Sequence, residues 1–485
     1  MSFKKELVSG AIYMAIARYS GLIITIFISA ILSRLLTPEN YGVVALATVM
    51  MALFGLLADI GIGPAVIQNK TLTATDLNSI NTFNSYQGLV LGVAFFFSAP
   101  YVADYYGNPQ VKVICQVMSF NIFLSCINAV PNNVLYRQQR FKLITIISLV
   151  SQVIGGIVSI TMAYHGCGAV SLVLPNVILA IPTALVLRHY TKIHFVWHID
   201  WAPLKRIFSF SLFQFLANVV AYLSRNTDSM LVGKYMGMRP LGYYNKSYNL
   251  MLMPLQYISC VLIPVMLPVF SKYQDNLEFI QEKYTKILRL FAFAGVFLCA
   301  ILYFCAGELI FLFFGSQWGQ SVSCFKILAI SVPFQIMGCT SGSIFQATGH
   351  TKAMFWNGFI GSFFTLGAFA IGILVYGSIE ALAWAYSAAM IITTFICFFI
   401  MYKYALKSSF SIYLRSMISP AIFTLFLCVI LYFVSLMPVS AKFVRLIILG
   451  CVGTLFSVLY VQIFGYYDIF SVIRKFLLKL HTVKK

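Results

Sequence analysis

Polar and charged residues in this chain do not alternate with apolar ones at a strand or surface-helix period. They gather into short breaks that separate long apolar runs. Splitting at the breaks gives apolar segments at 9–33, 42–66, 81–104, 113–135, 143–164, 168–188, 207–233, 241–270, 285–306, 322–347, 353–376, 379–402, 414–436 and 443–466. Each has the roughly 20 residues that a helix needs to cross the hydrocarbon of a bilayer. The breaks carry turn chemistry, as in T-P-E-N at 37–40 and G-N-P at 107–109. Pro254, Pro264 and Pro268 within 241–270 predict a kinked helix. The expectation is an all-α polytopic membrane protein with about 14 transmembrane helices.

Composition sharpens that picture. Of 485 residues, 60% are apolar and 9% charged, and the mean hydropathy is +0.89. A soluble domain carries about a quarter charged residues, so a soluble enzyme and a disordered chain are both excluded. The formal charge of +20 comes from 33 Lys+Arg against 13 Asp+Glu. With the N-terminus inside, these cations fall on the cytoplasmic side of the spans by about three to one. That bias supports an even span count and cytoplasmic termini, and removes any need for a nucleic-acid partner. Lys4 and Lys5 precede an apolar segment too long for a signal peptide. The 11 cysteines sit almost entirely in apolar runs with no C-x-x-C pair, so they read as small core residues. No phosphate-binding G-x-x-x-x-G-K-[ST] and no G-x-S-x-G nucleophile motif occur, and no cofactor or metal is expected. His189, His194 and His198 with Asp200 form a cluster too loose for a metal centre.

The chain also repeats. Pro38 and Tyr41 of L-T-P-E-N-Y-G recur as Pro240 and Tyr243 of M-R-P-L-G-Y-Y, and Q-R-F-K at 139–142 answers G-H-T-K at 349–352. Matching segments lie six spans apart. The reading is two pseudo-symmetric six-helix bundles related by an axis along the membrane normal, plus two C-terminal helices. The boundaries are an N-terminal lobe at 1–188, a basic cytoplasmic linker at 189–206, a C-terminal lobe at 207–404, and two extra helices with a basic tail at 405–485. Such a duplication suits alternating access, in which one lobe rocks against the other.

Ionisable groups inside spans are costly and therefore mark function. Arg18 on the first span and Asp59 on the second lie roughly 14 Å and 12 Å deep at 1.5 Å per residue, so they face each other as a candidate pair. On the seventh span, Arg225 and Asp228 of R-N-T-D share a helix face. Arginine suits a phosphate or diphosphate because its planar fork donates to two oxygens at once. Gln214 and Asn218, one turn apart, and N-x-x-N-S-Y-Q at 81–87 offer hydrogen bonds either to sugar hydroxyls or to neighbouring helices. The candidate cavity set is Arg18, Asp59, Arg225, Asp228, Gln214 and Asn218. Glu308 and Glu380 read as interfacial.

Several blocks resemble a known family: L-S-R-L-L-T-P-E-N-Y-G (32–42), D-I-G-I-G-P-A-V-I-Q (59–68), D-S-M-L-V-G-K-Y-M-G (228–237) and P-V-M-L-P-V-F-S-K-Y-Q-D (264–275). Together they are similar to the polysaccharide transporter (oligosaccharide flippase, Wzx-like) branch of the MOP superfamily. The resemblance implies flipping of an undecaprenyl-diphosphate-linked oligosaccharide across the bacterial inner membrane, driven by an ion gradient. Its implied partners are the lipid-linked oligosaccharide, membrane lipid, H+ or Na+ as coupling ion, and the polysaccharide polymerase and chain-length machinery. In related lipid II flippases the last two spans form a groove for the lipid tail, a role the thirteenth and fourteenth segments are expected to share. The rival readings are a multidrug exporter of the same superfamily and a membrane scaffold without transport. A cation exporter calls for a net acidic cavity, whereas the four charged candidates here balance to zero.

Overall fold

A backbone in hydrocarbon must satisfy its own N–H and C=O groups, and a helix does so within one segment. The computed structural model describes residues 3–58, 62–69, 71–197, 199–201, 212–437 and 441–464, and among them there is no strand. The helices are α1 (Phe3–Leu35), α2 (Pro38–Ala58), α3 (Ile62–Gln68), α4 (Ala74–Tyr106), α5 (Pro109–Arg137), α6 (Phe141–Tyr164) and α7 (Val170–Thr191), then α8 (Leu212–Tyr235) and α9 (Met238–Ser271). They continue as α10 (Leu277–Phe304), α11 (Ala306–Phe314), α12 (Gln320–Ala329), α13 (Val332–Gly338), α14 (Ser341–Ala347), α15 (Thr351–Ala370), α16 (Ile379–Ile400), α17 (Phe410–Ser435) and α18 (Lys442–Ile463).

Eleven of these are long and apolar enough to cross a membrane, and α12 with α13–α14 makes a twelfth if that bent pair is one span. The chain is thus a multi-span membrane protein. Of the roughly fourteen expected segments, the further two form α8 and α9, of 24 and 34 residues. Arg225, Asp228 and Lys234 are what make α8 polar. The 45° bend in the twelfth pair sits beside Pro333, which has no N–H to give the preceding turn. Gly295 of α10 admits that corner: a Cβ there would lie 2.7 Å from the Pro333 Cα.

Two compact units emerge, Met1–Asn245 with Phe313–Gln317, and Lys246–Leu312 with Trp318–Lys485. In the first, α5 is the central helix, packed by α2, α3, α4 and α7. Gly88 and Gly92, one turn apart on α4, let α5 approach closely, since a Cβ at Gly92 would meet the Ser119 carbonyl at 3.0 Å. Gln152 of α6 donates to the Gly21 carbonyl of α1 at 2.9 Å. The described residues 192–197 of the linker are held on α4. The backbone N–H groups of His194 and Val196 donate to Asn78 Oδ1 and Thr82 Oγ1 of α4 at 2.9 and 3.0 Å, and the Arg188 guanidinium covers the Phe195 ring at 4.3 Å.

Helix α8 and the start of α9, which the repeat assigns to the second lobe, pack in the first unit instead. The reason is a backbone-to-backbone crossing. A Cβ on Gly42 would overlap the Met238 carbonyl, and a Cβ on Gly242 would overlap the Pro38 carbonyl. The crossing is reciprocal, with each glycine lying four residues beyond the carbonyl that faces its partner.

In the second unit α10 is central. Phe293 and Ala300 of α10 share a core with Phe423, Leu427 and Leu431 of α17 and Leu449 and Tyr460 of α18. Arg445 of α18 pairs with Glu308 at 3.3 Å, and the Lys442 ammonium lies 4.2 Å over Phe311, so the last hairpin is tied to α11. Glu308 is largely buried in that pair rather than interfacial. The repeat is visible in backbone geometry as well: left-handed residues end helices at Gln139 and Gly349, and at Lys192 and Lys407.

Gly42→Ala and Gly242→Ala are each expected to destabilise the protein by about 1–3 kcal/mol through overpacking, and the double variant by less than their sum because one crossing is shared. Thermal unfolding in detergent measures this against Gly358→Ala, whose Cβ meets nothing within 4 Å. Equal midpoints for the glycine variants and that control would refute the close crossing.

Candidate functional site

The polar corner of the first unit is built on α8. Residues three apart on a helix differ by about 60° in direction, and here that difference straddles the boundary between buried and exposed. Asp228 turns inward and is 2% exposed, while Arg225 turns outward. Asp228 accepts a hydrogen bond from the Tyr244 hydroxyl at 2.8 Å and from the Ser229 N–H at 2.6 Å. Among the described residues no ion pair joins Arg225 to Asp228, so their shared face on the sequence is not a paired site. A buried carboxylate needs hydrogen bonds more than a distant cation, and Tyr244 supplies one.

Neighbouring groups follow the same rule. The Tyr222 hydroxyl of α8 donates to the Val49 carbonyl of α2. Lys234 donates to the Tyr105 carbonyl, with its ammonium 4.0 Å from the centre of that ring. Arg18 is exposed on α1. Asp59, its expected partner, lies outside the described residues, as do His198 and the side chains of Gln214 and Asn218 on α8.

The polar stretch at 81–87 bonds mainly between helices. Asn84 donates to the Cys126 carbonyl at 2.7 Å and Gln87 to the Leu57 carbonyl at 2.8 Å. Asn81 is fully buried with neither amide atom bonded. A cavity of about 450 Å³ opens between α2, α3, α4 and α5, lined by Met51, Gly55, Asn84, Ile122 and Asn133 among others. Asn133 spends its amide on the Ala129 carbonyl at 2.8 Å, as Asn84 does on Cys126, so this lining is mostly apolar.

Tyr222 and Tyr244 are missing from the candidates drawn from sequence, because a tyrosine among many aromatics gives no sign of a carboxylate or carbonyl partner. The one signal was charge: a buried Asp228 requires donors, and Tyr244 opens the next helix.

Residues 31–323 match the family described as "Polysaccharide biosynthesis protein". The chain belongs to that family. Two relatives match this family member nearly end to end or over most of its length. The teichuronic acid biosynthesis protein TuaB of Bacillus subtilis is 25% identical, over 90% of this chain and 90% of its own. The succinoglycan biosynthesis transport protein ExoT of Rhizobium meliloti is 23% identical, over 73% and 72%. In fold, this polysaccharide biosynthesis protein is similar to the lipid II flippase MurJ in an inward closed conformation, at a TM-score of 0.74 and 16% identity over 93% of this chain and 98% of that one. It is also similar to an inward-facing multidrug resistance transporter of the MATE family and MOP superfamily, at 0.58 and 14% over 85% and 98%.

Tyr244→Phe removes the donor to a buried carboxylate and is expected to cost about 1–3 kcal/mol of stability. Arg225→Ala, at an exposed position, should stay within about 0.5 kcal/mol. Comparing the two by thermal unfolding tests the assignment, and an Arg225→Ala loss equal to that of Tyr244→Phe would refute it.

Proposed function

We propose that the protein is a transporter, not an enzyme, that carries lipid-linked oligosaccharide repeat units from the inner to the outer leaflet of a bacterial cytoplasmic membrane. The observation that carries this reading is the extent of the match to relatives of polysaccharide assembly, one of them a transport protein, along most of the chain. The MurJ-like fold supports it as architecture: a similar arrangement of helices serves a lipid II flippase. The multidrug reading shares the fold but has no counterpart in the family match.

The substrate is amphiphilic, and its three parts ask for different surroundings. The diphosphate calls for cations, for which Arg18 and Arg225 are the nominees because a guanidinium binds two phosphate oxygens at once. The glycan calls for neutral hydrogen-bonding groups, and the polyprenyl tail for lipid or an apolar groove. The outer faces of α17 and α18 present Leu425, Val429, Phe433 and Leu455 for that last part. Two helical bundles rocking against each other would expose the headgroup site alternately to either side. The chain carries no nucleotide-binding loop, so H+ or Na+ moving down its gradient is the proposed drive. The excess of Lys and Arg on one side of the spans supports cytoplasmic termini. Polymerase and chain-length proteins are the proposed recipients of the flipped unit.

Deletion of the gene is expected to abolish one surface polysaccharide and to trap its diphosphate-linked repeat unit on the inner leaflet, with organic-cation efflux unchanged. Lipid extraction and surface-glycan staining read both. Unaltered glycan with no trapped intermediate would overturn the proposal. In the complemented strain, Arg18→Ala with Arg225→Ala should reduce export about tenfold or more while the protein inserts at wild-type level. Full export by that double variant would remove the arginines from the site.

A further inference from the structure

A second cavity of the first unit, about 470 Å³, lies between α5, α6 and α7. Its size is within the roughly 300–1,000 Å³ of small-molecule sites. Asn128, Asn132 and Tyr136 stand at four-residue intervals along α5 and so form one stripe of the wall. Ser148 and Ser151 face them from α6, and Thr183 from α7. These six side chains all donate and accept hydrogen bonds, and none carries a formal charge at neutral pH.

The contrast with the cavity on the other side of α5 is chemical. There the asparagine amides are spent on helix carbonyls. Here Asn128 donates its Nδ2 to the Ala180 carbonyl at 3.1 Å, but its buried Oδ1 has no hydrogen-bond partner. That oxygen is sealed within the α5–α7 packing, so the capacity to bind a ligand lies with the open groups of the wall, Asn132, Tyr136, Ser148, Ser151 and Thr183. The hydroxyls of Ser151 and Thr183 share one hydrogen bond of 3.3 Å, which leaves further capacity on both.

The chemistry selects the ligand class. An anion would require Arg or Lys in the wall, and a cation would require carboxylates. A polyprenyl chain would leave the amides and hydroxyls unpaired at a cost. An uncharged polyhydroxylated ligand answers every group, and Ile147 supplies apolar surface for the C–H face of a pyranose ring.

We infer that this cavity between α5, α6 and α7 is a subsite for neutral sugar units of the transported glycan. The inference rests on the transport reading above and adds to it where specificity for the glycan resides.

The test uses the full chain in nanodiscs and two probes: the lipid-linked intermediates extracted from the deletion strain, and undecaprenyl diphosphate without a glycan. Wild-type protein should bind the glycan-bearing lipid about tenfold or more tighter than the bare lipid. Asn132→Leu should erase that preference while the affinity for bare lipid holds. Thr183→Val, which keeps the side-chain volume and guards against misfolding, should reduce it about threefold. A preference retained in both variants, or an equal weakening for both lipids, would overturn the subsite and leave the transport reading standing. So would the absence of any wild-type preference for the glycan. Failure of the wild-type protein to bind either lipid would overturn the transport reading, and the subsite with it.

Discussion

Hydrocarbon offers no hydrogen-bond partners, and the rest of the structure follows from that constraint. It forces the backbone into helices and then forces each polar side chain to find a partner on the protein. The Tyr222 hydroxyl on a carbonyl of α2, Gln152 on a carbonyl of α1, and Asn84 on a carbonyl of α5 are the same solution repeated. Each bond also fixes the rotation of one helix against the next. Polar residues therefore do in this membrane protein part of what apolar burial does in water, where lipid gives no comparable drive for helices to associate.

Close backbone approach is the complementary device. Gly88 and Gly92 set α4 against α5, Gly295 seats the Pro333 corner, and Gly42 and Gly242 cross reciprocally. Dispersion between backbones falls away steeply with distance, so a helix pair gains most where no Cβ intervenes. The reciprocal crossing explains why α8 and the first turns of α9 join the first unit. Covalent repeat boundaries and packing boundaries need not coincide when the tightest crossing lies just beyond the linker.

The architecture was legible because its signal is long and redundant. An apolar run of 20 residues admits one reading, and the family blocks at 32–68 and 228–275 named the same fold. The site was less legible, for a physical reason. Spacing on a helix places Arg225 and Asp228 together, but the 60° between them is enough to send one outward and the other toward Tyr244. Which way a charge turns depends on what the next helix offers, and a tyrosine gives no advance notice of its partner. The stripe of Asn128, Asn132 and Tyr136 was visible as spacing in retrospect. It lacked a charge to attract attention, and only the cavity beside it gives the stripe a meaning.

On the proposed reading, charged and neutral polar groups divide the chemistry of an amphiphilic substrate. A diphosphate is common to all undecaprenyl-diphosphate-linked intermediates, so cations that hold it confer affinity without discrimination. The glycan is what differs between one polysaccharide and another. Discrimination among sugars must come from groups that read the direction of hydroxyls, and neutral amides and hydroxyls do this because each misplaced partner leaves a buried atom unpaired. On that reading a new cargo asks for a new wall of neutral residues within one unit, while the crossings that hold the helices stay as they are.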